Sequence, residues 1–203
     1  PIYTKLYNRF VELEGRGRPT FLQGHNAAIE ARLLVIKCSE SAQTGTGFIL
    51  DDSFLITCAH VVSSLEIGGV VRYFNGSNYS AATQKEALLV YKDEGLDIAM
   101  FSTPFVRSPF AYPSFKSAQK YEIDNITYGT NCYIWGFPNY HFSGHPFYSP
   151  AIVSSQIIEA SGRKIFCINQ SVYKGMSGGP VLNGRGEVLG MLVLGTDHYG
   201  HEN

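Results

Sequence analysis

Short runs rich in apolar and β-branched residues follow one another from residue 32 almost to the end of the chain. Turn-forming pairs such as Asn75-Gly76 and Asn183-Gly184 separate them, and these residues tolerate the positive φ that tight hairpins need. Many short strands with turns between them are typical of an all-β sandwich or barrel. The pattern predicts eleven strands: 32–38, 46–50, 53–57, 69–74, 86–91, 97–101, 132–136, 151–158, 164–168, 179–183 and 187–194.

The N-terminal part of the chain has a different period. Ile2, Leu6, Phe10 and Leu13 recur at helical spacing, which predicts a short amphipathic helix over 2–13. A glycine-rich break follows, and residues 26–31 favour one further helical turn. We therefore expect a helical extension, 1–31, followed by a β domain, 32–203.

A proline-rich stretch, 104–128, separates two groups of predicted strands. It contains Pro104, Pro109 and Pro113 with several aromatic residues, which is typical of a long connection. The strands then fall into two halves, about 32–103 and 129–203. A chain of 203 residues with 44% apolar residues can bury a core of this size as one domain.

The charge balance excludes some partners. Sixteen basic and seventeen acidic residues give a net charge of −1, and no Lys/Arg run exceeds a pair, so nucleic acid is not expected as the main partner. No stretch approaches the roughly 18 consecutive apolar residues of a membrane span, so no membrane partner is expected. The N-terminus lacks a signal pattern. We expect a cytoplasmic location, or a periplasmic or secreted one if a signal was removed before Pro1.

The four cysteines show no CxxC spacing and no clustering with histidine that would indicate zinc. Apolar residues flank Cys38 and Cys167, which favours buried free thiols. No metal or cofactor is therefore expected.

A serine among glycines stands near the end of the chain, in Gly175-Met176-Ser177-Gly178-Gly179. A serine hydroxyl is a weak nucleophile, so a catalytic serine needs a base, a group that orients the base, and donors for the oxyanion. Gly175 allows the backbone to turn so that its own amide and that of Ser177 point into one hole. A glycine-rich hairpin with no catalytic role gives the same local pattern.

His60 and Asp97 provide the remaining catalytic groups. His60 follows the apolar run 53–57, and Asp97 heads the run 97–101. The order His60, Asp97, Ser177 suits one partner from each half of a two-part barrel and one from the region between.

Together these motifs resemble the chymotrypsin-like serine peptidases, and specifically their HtrA/DegP-like branch. The resemblance covers roughly residues 32–196. The segments that carry it are Gly45-Thr46-Gly47-Phe48-Ile49-Leu50, Ile56-Thr57-Cys58-Ala59-His60-Val61-Val62, Leu96-Asp97-Ile98-Ala99, Trp135-Gly136-Phe137-Pro138 and Gly175-Met176-Ser177-Gly178-Gly179-Pro180-Val181-Leu182-Asn183, continuing to Gly186-Glu187-Val188-Leu189-Gly190.

The resemblance implies two six-stranded-type antiparallel half-barrels with the active site between them. It implies a serine endopeptidase in which His60 is the general base, Asp97 holds its tautomer, and Ser177 forms the acyl-enzyme. The amides of Gly175 and Ser177 would then bind the oxyanion. The substrate would be a protein or peptide.

The same resemblance implies where the primary specificity pocket lies. Ser171 and Val172 would form its base, and neither favours Arg or Lys as an acidic residue would. The walls would come from the strand after the serine, and we expect cleavage after apolar residues. The wall residues are Leu192, Val193, Leu194 and Gly195.

Two departures from the secreted digestive relatives are visible. Val61 stands where those relatives carry a bridged cysteine, and Met176 stands where they hold the Asp that pairs with a cleaved N-terminus. We therefore expect no activation of that zymogen type, and regulation by another route, such as a regulatory partner or a fused domain. The alternative function is an interaction or effector module, of host-defence or viral polyprotein type, with a latent triad.

Overall fold

The computed structural model describes residues 28–38, 43–52, 54–75, 84–102, 113–138, 146–158 and 164–193. The chain divides into two units, Pro1–Glu30 and Ala31–Asn203. In the first unit the described residues, 28–30, are helical, within the predicted turn at 26–31. The helix predicted over 2–13 lies outside the described residues, and the extension 1–31 stays a prediction.

The second unit is built of antiparallel strands, and the all-β prediction is confirmed. Each of the eleven predicted runs forms a strand, with ends that differ from the prediction by up to four residues. The strands are β1 Leu33–Lys37, β2 Thr44–Leu50, β3 Phe54–Thr57, β4 Val70–Asn75, β5 Lys85–Asp93, β6 Ile98–Ser102, β7 Asn131–Gly136, β8 Phe147–Ile158, β9 Lys164–Ile168, β10 Pro180–Leu182 and β11 Val188–Met191.

The first six strands close into a barrel in the order β1-β2-β3-β6-β5-β4. Buried and exposed side chains alternate along β5: Ala87 and Leu89 are buried, whereas Leu88 and Val90 are exposed. Every second side chain of the strand thus points into the barrel interior, because successive side chains lie on opposite faces of a strand. The core of this barrel includes Leu34, Ile36, Ile49, Leu55, Val71, Tyr73, Leu89 and Phe101.

The remaining strands form a second sheet in the order β11-β10-β7-β8-β9. Its described part has five strands, and the end of the last predicted run, Leu194, lies outside the described residues. A smaller apolar core lies on this sheet and consists of Cys132, Ile134, Ala151, Met176 and Leu192.

The predicted connection contacts both sheets. The amide of Phe115 donates to Ile49 O of β2 at 2.8 Å, and the amide of Ala118 donates to Val188 O of β11 at 2.9 Å. A short helix, Lys120–Asp124, follows, which the sequence pattern did not predict. No helix within the described ranges is long and apolar enough to cross a membrane.

Candidate active site

His60 lies in a 3₁₀ helix, Ala59–Val62, that begins two residues after β3 ends. Strands β3 and β6 pair with Thr57 opposite Ala99, so the end of one lies beside the start of the other. This pairing brings His60 and Asp97 together within the first barrel. The expectation that one of the three catalytic groups comes from the region between the halves is therefore wrong. The His60 backbone amide donates to Asp97 Oδ1 at 2.9 Å, and His60 Nδ1 lies 2.8 Å from Asp97 Oδ2.

Asp97 itself adopts a left-handed backbone conformation, with φ of 52°. Few residues other than glycine do so, although Asp and Asn are among them. The turn directs the carboxylate toward the 3₁₀ helix rather than along β6. The sequence pattern placed Asp97 in the strand, whereas the structure places it in the turn just before Ile98.

Burial raises the pKa of Asp97, but hydrogen bonds from the His60 ring, the His60 backbone and the Cys58 thiol outweigh it, and the net pKa is lowered. The carboxylate is therefore ionised at neutral pH and can only accept hydrogen bonds. Nδ1 of His60 must then carry the proton that Asp97 accepts. The lone pair on Nε2 is left available as a base.

Ser177 is buried, with 4% of its surface exposed, in the loop before β10. The Thr46 amide of β2 donates to Ser177 O at 2.9 Å, which ties this loop to the first barrel. Gly178, with φ of 86°, packs so closely that a Cβ there would overlap Thr46 O and Thr57 Oγ1. Close packing of glycine therefore brings the serine loop against the end of β3, where the histidine segment begins.

Gly175 also has a positive φ, 95°, which glycine adopts without strain. The Thr46 hydroxyl donates to Gly175 O at 2.8 Å and accepts from the Phe137 amide at 2.9 Å. Among the described residues, the amides of Gly175 and Ser177 have no hydrogen-bond acceptor, whereas the Met176 amide between them donates to Tyr173 O at 3.0 Å. Two unpaired amides in one tight turn are suited to stabilising an oxyanion.

Thr46 is the functional residue that sequence reasoning missed. In the sequence, Thr46 is part of the motif Gly45-Thr46-Gly47-Phe48, and that motif assigns it no individual role. A hydroxyl inside an otherwise apolar or glycine strand is the signal that could have found it, because a buried hydroxyl requires partners.

The predicted pocket residues fall into two groups. Val172 and Leu192 pack with the core of the second sheet. Ser171 and Val193 are exposed. The other two, Leu194 and Gly195, lie outside the described residues.

All four cysteines are free, as predicted, but Cys167, which was expected to be buried, is only partly buried. Cys58 is fully buried and lies two residues before His60. Its single S–H proton faces two acceptors, the Asp97 carboxylate and Leu192 O, which lies 3.2 Å from the sulfur. Burial, and then the negative charge of Asp97, raises the pKa of this thiol far above its ordinary value. Cys58 is therefore a protonated thiol beside the candidate catalytic groups.

The sequence profile of the trypsin-like peptidase domain matches residues 45–191. The chain belongs to this family, as the sequence motifs indicated.

Its relatives include bacterial proteases. It is 30% identical over 158 residues to a probable periplasmic serine endoprotease, DegP-like, of Rhizobium meliloti, covering 74% of this chain and 27% of that protein. It is 25% identical over 177 residues to serine protease Rv3671c of Mycobacterium tuberculosis, covering 82% of this chain and 39% of that protein. The chain thus spans about a quarter to two fifths of the length of these relatives.

Solved structures share the fold. The inactive form of Rv3671c protease from M. tuberculosis superposes with a TM-score of 0.60 at 24% identity, covering 81% of this chain and 78% of that chain. Deg5 superposes with a TM-score of 0.63 at 19% identity, covering 83% of this chain and 84% of that chain. The expected cytoplasmic location is not supported, because the DegP-like relatives are named as periplasmic proteins.

Proposed function

We propose that this chain is a serine endopeptidase, with Ser177 as nucleophile, His60 as general base and Asp97 as the group that orients the base. The observation that carries this proposal is the double hydrogen bond from His60 to Asp97, through the backbone amide and Nδ1. A histidine held at two points keeps one tautomer and one ring orientation, which a general base requires. Membership of a peptidase family supports the same reaction.

In the proposed reaction, Ser177 Oγ attacks the carbonyl carbon of the scissile peptide while its proton passes to His60 Nε2. The carbonyl oxygen of the scissile peptide becomes an oxyanion and accepts hydrogen bonds from the Gly175 and Ser177 amides. His60 then gives the proton to the leaving amine, which departs and leaves an acyl-enzyme. Water, deprotonated by His60, hydrolyses the ester and restores Ser177. Asp97 stays ionised throughout and stabilises the imidazolium ion.

We further propose cleavage after apolar side chains, because the residue at the expected pocket base, Ser171, carries no charge. The two apolar residues expected beside it, Val172 and Leu192, pack with the core of the second sheet. The substrate would be a protein or peptide.

The greater length of the relatives supports the proposal that a regulatory partner or a fused domain controls access to the active site. Their periplasmic naming supports a location outside the cytoplasm, periplasmic or secreted.

The peptidase domain is proposed to span 32–203, with half-barrels at about 32–103 and 129–203, and the extension to span 1–31. The family match at 45–191 lies inside the proposed domain.

The proposed nucleophile is tested by labelling with a fluorophosphonate, which reacts only with an activated serine. We expect one label on Ser177, and neither labelling nor casein hydrolysis by Ser177→Ala. Ser155→Ala, which alters an exposed serine on β8, is the matched control and should label like the parent chain. Full hydrolysis by Ser177→Ala would refute the assignment. A folded chain that resists labelling would favour the alternative, an interaction module with a latent triad.

A further inference from the structure

Three side chains with different ligand chemistry meet beside the candidate base. The sulfur of Cys58, a ring nitrogen of His60 and a carboxylate oxygen of Asp97 all lie within 4.8 Å of one another. Thiolate, imidazole and carboxylate are the three ligand types that bind zinc in proteins. The imidazole and the carboxylate are the proposed base and its orienting group, whereas the thiol contributes only a hydrogen bond to Asp97.

We propose that Cys58, His60 and Asp97 form an inhibitory site for a thiophilic divalent cation, and that Zn²⁺ is the physiological ion. The inhibition rests on the proposed peptidase function, whereas the binding does not. An ion bound at this site would inhibit catalysis. It would therefore not be a catalytic metal, and the proposed reaction requires none.

The spacing of the three atoms suits a tetrahedral ion after a small adjustment. Zinc lies about 2.0 Å from nitrogen or oxygen and about 2.3 Å from sulfur, so its ligand atoms are about 3.3 to 3.6 Å apart. His60 Nδ1 and Asp97 Oδ2 are 2.8 Å apart and must separate slightly. The sulfur lies within 4.8 Å of a ring nitrogen of His60 and a carboxylate oxygen of Asp97, and it must approach by roughly 1.3 Å or less. A fourth position is left for water.

The ion would enter from the exposed side of the cluster. The His60 side chain is 46% exposed and that of Asp97 is 19% exposed, whereas Cys58 forms the buried floor. A site with one buried soft ligand and two accessible hard or borderline ligands favours Zn²⁺ or Cd²⁺ over Mg²⁺ or Ca²⁺, which prefer oxygen ligands.

Binding at Nδ1 would inactivate the base through its tautomer. The ion replaces the Nδ1 proton, so a neutral His60 ring carries its one proton on Nε2. Nε2 then has no free lone pair and cannot accept the proton of Ser177. The thiol proton of Cys58 is released to solvent as the thiolate binds the ion. Metal binding and general-base competence therefore exclude each other.

Binding is tested with Cd²⁺ in the Ser177→Ala chain, which cannot cleave itself. A cadmium–thiolate bond gives an ultraviolet charge-transfer absorption, and we expect it to saturate at one ion per chain. Adding Cys58→Ser should remove it, and adding His60→Ala should weaken Cd²⁺ affinity about tenfold or more. Cys132→Ser is the matched control, since it alters another buried thiol, and it should keep the absorption.

Two results would overturn the site: no cadmium–thiolate absorption in the Ser177→Ala chain, or the same absorption after Cys58→Ser. Inhibition is measured separately, as the Zn²⁺ concentration that halves fluorophosphonate labelling, relative to each variant's own metal-free rate. We expect Cys58→Ser to raise that concentration at least about tenfold, and a chelator to restore labelling. A chain that never labels would count against the proposed peptidase function, while the cadmium result alone would still decide the binding site.

Discussion

The hydroxyl of Thr46, in the first barrel, donates a 2.8 Å hydrogen bond to the carbonyl oxygen of Gly175, in the serine loop of the second sheet. The Thr46 hydroxyl oxygen also accepts a hydrogen bond from the Phe137 amide at 2.9 Å. One buried side chain thus holds the peptide plane between Gly175 and Met176 in a single orientation. The proposed oxyanion hole therefore depends on a contact between the two sheets.

Replacing Thr46 with Val tests this dependence, because valine keeps the shape and removes both hydrogen bonds. Leaving a buried carbonyl and a buried amide unpaired should lower the free energy of unfolding by about 1–3 kcal/mol. A tilted Gly175 peptide should lower kcat at least about tenfold, which corresponds to about 1.4 kcal/mol. Urea unfolding and peptide hydrolysis measure the two effects. Thr46→Ser keeps the hydroxyl and should restore most activity; equal losses in both variants would contradict the role of the hydroxyl.

The contact made by Thr46 also shows what the sequence could and could not predict. Strand positions follow from local alternation of apolar residues, and all eleven predicted runs form strands. The hydrogen bond from Thr46 to Gly175 joins residues 129 positions apart, and no local pattern encodes such a contact. The left-handed turn at Asp97 was missed for a related reason, because the apolar residues after it follow strand periodicity and only the tertiary contact with His60 requires the turn.

The sequence predicted which residues form the candidate site better than it predicted what surrounds them. Motif context indicated His60, Asp97 and Ser177 without any structure. It did not indicate that Cys58 contacts the same carboxylate, because a cysteine between Thr57 and Ala59 reads simply as a buried apolar residue. Its chemistry becomes relevant only once Asp97 is folded against it.

Asp97→Asn should separate catalysis from acid stability. Asparagine cannot hold the required His60 tautomer, and the analogous change in another serine peptidase lowers kcat about 10⁴-fold, so we expect a loss of that order. The lowered pKa of Asp97 means that the unfolded chain takes up its proton at higher pH than the folded chain does. The Asp97 contribution to stability is therefore present above the unfolded pKa and lost as pH falls through the folded pKa.

Urea unfolding across the acidic range measures this contribution. The parent chain should lose stability more steeply on acidification than Asp97→Asn, and the two should converge at the lowest pH. Parallel pH profiles for the two chains would show that Asp97 is not the group responsible.

Met176→Asp should destabilise the chain strongly. Met176 is fully buried and packs with the core of the second sheet, and a Cβ on Gly136 would lie 3.0 Å from its Cα. The residues of the core cluster around it are apolar, and an uncompensated buried charge costs about 3–5 kcal/mol. Met176→Leu, which conserves volume, should cost less than about 1.5 kcal/mol. Chemical denaturation compares the stabilities of the two variants. A well-folded, fully active Met176→Asp chain would contradict the prediction: a cation would then pair with the new carboxylate, and activation of the zymogen type would be favoured.

Ser171→Asp tests the proposed specificity pocket. Ser171 is exposed, so a carboxylate at this position stays hydrated and should leave the fold intact. If Ser171 lies at the pocket base, the new charge should attract Arg and Lys and reduce cleavage after Leu, Val, Phe or Met. A peptide-library cleavage profile of both chains measures the change, with labelling of Ser177 as the control for an intact site. An unchanged profile would move the pocket base away from Ser171, and a parent profile dominated by Arg, Lys, Glu or Gln would refute the apolar preference itself.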